Sequence, residues 1–563
     1  MPTREEMWEK IPEAVDLVVI GGGITGAGIL RNAARRGLSV VLFEQNDIAY
    51  GTSSRSSKLI HGGLRYLESY EFSLVFESVS ERRVMLDLAP HLVNPLAFLF
   101  PVYAGSRRNL RVLRAGMWLY EGLSLFRSPK KHRILKPKEV LKAEPLLKQE
   151  GLQGAPLYYD CSTDDSRLTL ESVIDGVQNG GIAVTWARVD AFTKDEQGRV
   201  SGVVVKNARD GSLREVAAKA IINATGPWTD EVLGLSGPRT SAMLRLTKGI
   251  HIVVERKKLP VDHAVVLFHP TDDRLLFALP WGERTYIGTT DTDYDGSPGA
   301  EAASLADVDY CIEAVNAHFQ TQPITRDDVI ATWAGLRPLI APPEHDGTEI
   351  AESKVSREHQ ITVGGDGLIT IAGGKLTTYR KMAKEVVDVA VHLLKLSDVL
   401  PDDLQSAQTF KAPLPGAVGW PEDDDHEKVA AELAKVCDCD LSEAVRLHLV
   451  DTYGMRALEL AKLCASNPAL MEPIVPGRVE IMAQVDFGVQ EELAASVSDI
   501  MVRRTQIFFR DYDQGLGAVE KVASRMAQLI GWSDEEKQNS IDQYKAAVAL
   551  SRRWKEEISA ERR

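Results

Sequence analysis

Residues 16–44 read DLVVIGGGITGAGILRNAARRGLSVVLFE, and this stretch decides the front of the fold. The short apolar run DLVVI breaks into glycines, ITGAGILRNAARR (24–36) is helix-compatible with Gly37 as its stop, and LSVVLFE (38–44) is a second buried strand. Strand, glycine turn, helix and strand make a βαβ crossover, which requires a parallel sheet. Gly21, Gly23 and Gly26 stand in a G-x-G-x-x-G spacing at the turn, and Glu44 ends the next strand 18 residues after Gly26. The first glycine allows the tight turn, the second lets backbone approach a pyrophosphate, and the third permits close helix packing. Glu44 can accept from both hydroxyls of an unphosphorylated ribose. The pattern predicts a dinucleotide site and does not separate NAD from FAD.

Outward from this unit, residues 180–300 alternate strand-like runs with turns, and LITIAGG (368–374) leads into TTYRKMAKEVVDVAVHLLK, whose apolar residues recur at helical spacing. The fold class is therefore α/β with a β-rich middle. Prolines 401, 413, 415 and 421 and the acidic run 422–425 mark a linker over 400–425. Beyond it the pattern is helical to the end, with a capping box at Ser533 and Glu536 opening the last helix.

Composition bounds the function. The 563 residues are 44% hydrophobic, 26% charged and 7% aromatic, which excludes a disordered chain and a polytopic membrane protein. Lys+Arg 66 against Asp+Glu 80 gives a net charge of −14, so nucleic acid is not an expected partner. Cys161, Cys311, Cys437, Cys439 and Cys464 contain no C-x-x-C, so neither a disulfide framework nor a metal site is expected. The amino end has no apolar h-region, and the longest uncharged stretch, 88–106, carries three prolines, His91 and Asn94, against a lipid-exposed helix; with the scattered cysteines, a cytoplasmic location is expected. Asp291, Asp293 and Asp295 imitate the start of an EF-hand, but Ala302 stands where a bidentate glutamate is needed.

Four further runs, TSSRSSKLIHGGLRYLE (52–68), INATGPWTD (222–230), AGLRPL (334–339) and GLITIAGGKLTTYR (367–380), together resemble FAD-dependent glycerol-3-phosphate dehydrogenase. The resemblance runs from about 14 to 395, and the tail, with Arg503-Arg504-Thr505, is similar to that family's carboxyl-terminal domain. It implies a D-amino-acid-oxidase type of flavoprotein: a Rossmann-like FAD domain of segments 12–100, 160–240 and 350–395, a β-sheet substrate cap of 101–159 and 241–349, and an all-α domain over 426–563. It implies noncovalent FAD, oxidation of sn-glycerol 3-phosphate to dihydroxyacetone phosphate, and a membrane quinone as acceptor. No second dinucleotide fingerprint is present, so a separate NAD(P)H site is unsupported. A same-fold oxidase using oxygen and a non-catalytic flavin sensor are the rival readings, and a homo-oligomer is left open.

A phosphate monoester, with a second pKa of about 6, is nearly a dianion at neutral pH and calls for bidentate donors. Arg337, Arg65 and Lys375 match family positions that face substrate, with Arg337 and Lys375 assigned to the phosphate. A lone arginine is more often a solvated salt bridge, but Arg65 follows two glycines and Arg337 lies between apolar residues and Pro338. Alcohol oxidation needs a neutral proton acceptor; His251, opening a strand, is preferred to His61, and Tyr66 is a candidate orienting hydroxyl. For the cofactor, Thr52, Ser53, Ser57 and Lys58 are expected at the pyrophosphate or ring, by resemblance. Gly226 of the ATG segment, Gly373, Gly374 and the helix start near Thr377 complete the set. Residues 107–126 place Arg107, Arg111 and Arg114 on one helical face and Leu110, Leu113, Met117 and Tyr120 on another, the pattern of a helix lying on an anionic membrane surface. A cap helix with its apolar face packed inward is the alternative.

Overall fold

A computed structural model describes all residues except 64–70, 107, 125–127, 239–240, 342–357, 398–403, 437–440 and 562–563. Arg65, Tyr66, Arg107, Cys437 and Cys439 thus lie outside the described residues. The crossover is present as the strand Ala14–Ile20, the helix Ile24–Arg35 and the parallel strand Val40–Phe43. Two remote segments complete the parallel ladder: Leu213–Asn223 pairs with Ala14–Ile20, and Ile369–Gly373 pairs with Leu213–Asn223. Ile20 stands opposite Asn223, and Asn223 opposite Thr370, so the carboxyl ends of three strands from three parts of the chain finish side by side. His359–Val363 closes one edge in antiparallel sense, Ile182–Val184 extends the other, and Val200–Asn207 and Ala187–Lys194 append an antiparallel meander.

Helices Asp165–Gln178 and Tyr379–Leu396 pack against Ile24–Arg35. The approach is close: a Cβ on Gly28 would come within 2.9 Å of Ala383 and one on Gly176 within 2.8 Å of Leu30.

The second sheet is built on the long strands Leu244–Glu255 and Ala331–Ile340, paired antiparallel over ten positions from Leu244↔Ile340 to Val253↔Ala331. Arg284–Gly288, Leu275–Trp281 and Ala264–Phe268 continue it. It reaches further back in the chain than the sequence suggested. Asn94–Leu99 and Leu59–Ile60, expected in the cofactor domain, both pair with Leu152–Ser162. The reason is apolar: Phe98, buried on this strand, stacks on the opposite Tyr158 at 5.2 Å, which a solvent edge would not reward.

The carboxyl-terminal region is helical, around a core that includes Leu449, Tyr453, Phe487 and Tyr544. Ser533 and Glu536 form the expected capping box on Asp534–Ser551. The expected linker is firmly docked in its described part: Leu414 is fully buried and the Gly416 N–H donates to Glu171 Oε2 at 3.0 Å. Cys161, Cys311 and Cys464 are buried free thiols.

The third fingerprint glycine has no room for a side chain, because a Cβ on Gly26 would lie 1.8 Å from the Gly21 carbonyl oxygen. Gly26→Ala should therefore destabilise the protein by about 3 kcal/mol or more, whereas Gly116→Ala, on a helix with nothing within 4 Å of the new methyl, should be neutral or stabilising. Denaturant unfolding of the two variants checks the contrast.

Candidate active site

The three strand ends open on a cavity of about 510 Å³. Gly21 sits at its floor with φ +107°, where a Cβ would meet the Ala224 oxygen at 2.7 Å, so only glycine allows this approach. Glu44 accepts from the N–H groups of Gly22 (2.6 Å) and Asn46 (2.8 Å), and the Ser53 hydroxyl accepts from the Ile24 N–H (2.9 Å) at the start of the glycine-turn helix. Burial pushes Glu44 up to about 7, against the lowering effect of those backbone N–H groups. Of the expected cofactor residues, Gly21, Gly23, Glu44, Thr52, Ser53, Gly226, Gly373 and Gly374 line the cavity, and so does Lys375. A carboxylate at one end, side-chain-free backbone along the wall and a helix amino terminus between them suit the ribose and pyrophosphate of a dinucleotide.

Lys58, Thr377 and Ser57, also expected at the cofactor, do not line the cavity. Lys58 Nζ bonds Asp165 Oδ1 at 2.6 Å and is buried, so its charge is spent inside the protein. Thr377 lies in a 3₁₀ turn, Leu376–Thr378, ahead of the helix, and its hydroxyl bonds the His61 backbone at 3.2 Å. Ser57 meets His251 instead of lining the cavity.

The second sheet carries His251 and Arg337 on one face, and of its described residues only Pro338 lines the cavity. On paired strands, His251 stands opposite Trp333, Gly249 opposite Gly335 and Thr247 opposite Arg337, alternate residues that share a face. The glycines leave that face low: a Cβ on Gly249 would strike Arg337 Nη2 at 2.4 Å, and one on Gly335 the Arg55 oxygen at 2.6 Å. His251 lies flat on Trp333 (4.6 Å, 14°), shares a 2.9 Å hydrogen bond between Nε2 and Ser57 Oγ, and has no hydrogen-bond partner at Nδ1 among the described residues. Burial, then the nearby Arg337 and Lys58 cations, hold its pKa well below the ordinary imidazole value. Arg337 donates to Asp291 Oδ1 (2.8 Å), Thr289 Oγ1 (3.2 Å) and the Thr290 oxygen (3.1 Å). Asp291 and Asp293, which read as an EF-hand imitation, are thus arginine partners, Asp293 holding Arg245 at 2.6 Å.

Sequence reading missed Ser57 as a histidine partner, Trp333 as its platform, and Gly249 and Gly335 as the low floor. Only the isolated glycines inside two strand-like runs, which mark close approach, could have pointed to the floor.

The family description "FAD dependent oxidoreductase" matches residues 16–380, and "C-terminal domain of alpha-glycerophosphate oxidase" matches 407–537. The aerobic glycerol-3-phosphate dehydrogenase of Staphylococcus epidermidis is 35% identical over 540 residues, covering 95% of each chain. The glycerol-3-phosphate dehydrogenase of Mycobacterium leprae is 38% identical over 568 residues, 99% of this chain and 93% of that one. The chain belongs to the FAD-dependent glycerol-3-phosphate dehydrogenase family. The crystal structure of the Bacillus halodurans glycerol-3-phosphate dehydrogenase complexed with FAD superposes on this family member with a TM-score of 0.78 at 32% identity, covering 97% of both chains. FAD is the cofactor, and the cavity described above has the donor set it requires.

Glu44 gives this family member a pH signature. Its carboxyl titrates near 7 when folded against 4.5 when exposed, so the folded state holds the extra proton between those values. Stability of protein stripped of FAD should fall as pH rises from about 4.5 to about 7, by at most about 1.4 kcal/mol per pH unit. Glu44→Gln should flatten that slope in urea unfolding, and should weaken FAD binding.

Proposed function

We propose that this chain oxidises sn-glycerol 3-phosphate to dihydroxyacetone phosphate and delivers the electrons to a membrane quinone. The observation that carries the reading is the shared face of His251 and Arg337: a buried imidazole held neutral beside a guanidinium and bonded to Ser57, whose neighbour Ser56 lines the cofactor cavity. The names of the relatives point to the same substrate. FAD, when bound, supplies the hydride acceptor for the alcohol carbon. His251 takes the hydroxyl proton; when Nε2–H donates to Ser57 Oγ, the Nδ1 lone pair is the acceptor. Arg337 and Lys375 bind the phosphate, with Asp291 holding the guanidinium fork in place. Arg65 and Tyr66 keep their assignment from resemblance alone.

Anaerobic mixing with glycerol 3-phosphate should bleach the flavin, and a quinone analogue should restore the colour faster than oxygen does. No bleaching removes the dehydrogenase reading, and rapid reoxidation by oxygen with stoichiometric peroxide makes the protein an oxidase. His251→Ala should slow flavin reduction roughly 10² to 10⁴-fold with normal FAD content. Because His251 stays neutral, reduction at saturating substrate should show no loss near the ordinary imidazole pKa of about 6.5. Arg337→Ala should raise KM sharply and erase the preference for glycerol 3-phosphate over glycerol.

A quinone acceptor requires contact with a bilayer. No described helix is long and apolar enough to cross one. The helix Leu110–Leu123 packs its apolar face inward, the alternative stated for it, and leaves its other face exposed. Met117 and Tyr120 face inward, and the Tyr120 hydroxyl donates to Asp160 at 2.8 Å, so that apolar face is already taken. The opposite face carries Arg111 and Arg114 beside exposed Val112 (66%), Trp118 (56%) and Leu119 (44%), with Phe72 (40%) and Phe76 (45%) exposed on Phe72–Leu88. Aromatic and basic residues on one exposed face suit an anionic lipid interface, each basic residue contributing about 1 kcal/mol. The protein should float with anionic liposomes at low salt, and Trp118→Ser with Leu119→Ser, or Arg111→Glu with Arg114→Glu, should release it. Wild-type protein that stays in the soluble fraction would exclude this face.

A further inference from the structure

The stretch that follows the ribose-binding acid is fastened from the far end of the chain. Between Glu44 and the cavity-lining Tyr50, Asp47 points into the protein and is fully buried, while Arg503 and Arg504 are 4% and 2% exposed. Arg504 grips Asp47 with both ends of its fork, Nη1 to Oδ2 at 2.8 Å and Nη2 to Oδ1 at 2.9 Å, and Arg503 Nε donates to the same Oδ2. The arginines are fixed in turn: Arg504 Nη2 donates to the Glu492 oxygen and Arg503 Nη2 to Asp499 Oδ1, each at 2.7 Å. Asp499 accepts from the N–H groups of Ala495 (2.8 Å) and Ser496 (2.9 Å) and from Trp186 Nε1 (3.2 Å).

Both arginines come from one π-helical turn, Asp499–Arg504, of a kind that recurs where a helix presents side chains to a site. Arg503 also lies over the ring of Tyr50 at 5.6 Å, and Tyr50 and Trp228, 6.3 Å apart, both line the cofactor cavity. Neither arginine lines that cavity. Whatever they do for the cofactor passes through Asp47 and Tyr50.

We propose that Arg503 and Arg504 are positioning residues for FAD: by clamping Asp47 they hold residues 44–53 in the shape that presents Glu44, Tyr50, Thr52 and Ser53, so the helical domain sets how tightly the cofactor is kept without touching it. The proposal rests on the assignment of the cavity to FAD. A buried carboxylate with a bidentate partner is strongly directional, and the segment it fixes holds the glycine turn at two points, Glu44 accepting from the Gly22 N–H and Ser53 from the Ile24 N–H. The Ala49 N–H donates to the Gly22 oxygen at 3.0 Å, so displacement of this segment reaches the fingerprint itself.

The test is the rate at which the holoenzyme releases FAD, read as recovery of free-flavin fluorescence after dilution. Arg503→Gln and Arg504→Gln should speed release about 10- to 100-fold. At saturating FAD, KM for glycerol 3-phosphate should stay within about twofold of wild type. The stabilisation that added FAD gives in thermal unfolding should shrink. Arg504→Lys, which keeps the charge and loses the fork, covers the case in which the glutamine variants do not fold, and should speed release several-fold. Release at the wild-type rate from the variants that fold, or an equal loss of thermal stability with and without FAD, would overturn the clamp and leave the function intact. Wild-type protein that purifies without FAD would instead strike the reading of the cavity.

Discussion

Everything that recognises the cofactor depends on one constraint: parallel strands from three remote parts of the chain must end in register. Ala14–Ile20, Leu213–Asn223 and Ile369–Gly373 are paired so that Ile20, Asn223 and Thr370 stand in a row. Only then can the glycine turn, the ATG segment and the second glycine pair share one cavity wall. The tightness is set at Gly21, where backbone meets backbone with no space for a methyl group. A ridge of side chains there would push the strand ends apart, so the chemistry is made possible by what those positions lack.

The helical domain is fastened by charge as much as by apolar contact. Glu492 takes Arg167 from the helix Asp165–Gln178 at 2.7 Å and Arg456 from its own domain at 3.0 Å, all three buried. Burial alone would raise the Glu492 pKa, and Arg167 and Arg456 hold it below the usual carboxylate value instead. Nearby, Glu171 meets His91 at 3.1 Å and the Gly416 N–H at 3.0 Å, tying the docked linker to the same helix. Such pairs contribute little net stability relative to apolar replacements, but removing one partner leaves a buried charge and costs about 3–5 kcal/mol. The arrangement therefore penalises wrong docking more than it rewards right docking, which suits a domain that must present Arg503 and Arg504 to one carboxylate.

The sequence disclosed what is local. The glycine spacing, Glu44 at the end of the second strand and the helical tail with its Ser533 capping box all follow from neighbours within a few turns of chain. It did not disclose cross-strand register, and that is where the shared face of His251 and Arg337 was hidden. Nothing between positions 57 and 251 in the chain says that Ser57 meets His251, and although Ala302 already argued against calcium, nothing about Asp291 named Arg337 as its partner until the strands were paired. For the helix Leu110–Leu123 periodicity identified the apolar face but left open whether it met a membrane or packed inward, and the structure has it packed inward. The polar pin, Tyr120 to Asp160, decided that, and a hydroxyl in an apolar stripe gives no advance sign of its partner.

The charges around His251 close into a consistent electrostatic scheme. As the proposed base for an anionic substrate, His251 must lie near cations, yet remain unprotonated. Burial lowers the proton affinity of the imidazole most, and the nearby Arg337 and then Lys58 cations lower it further. Each cation is in turn held by a carboxylate, Lys58 by Asp165 at 2.6 Å and Arg337 by Asp291 at 2.8 Å. The two pairs differ in access: Lys58 and Asp165 are sealed in, whereas the Arg337 and Asp291 side chains keep 20% and 14% exposure. On the proposed function an arriving phosphate dianion would share the Arg337 fork but not the Lys58 ammonium. On the proposed function Lys58 acts at a distance, adding to what burial and Arg337 do to His251, and Arg337 acts by contact.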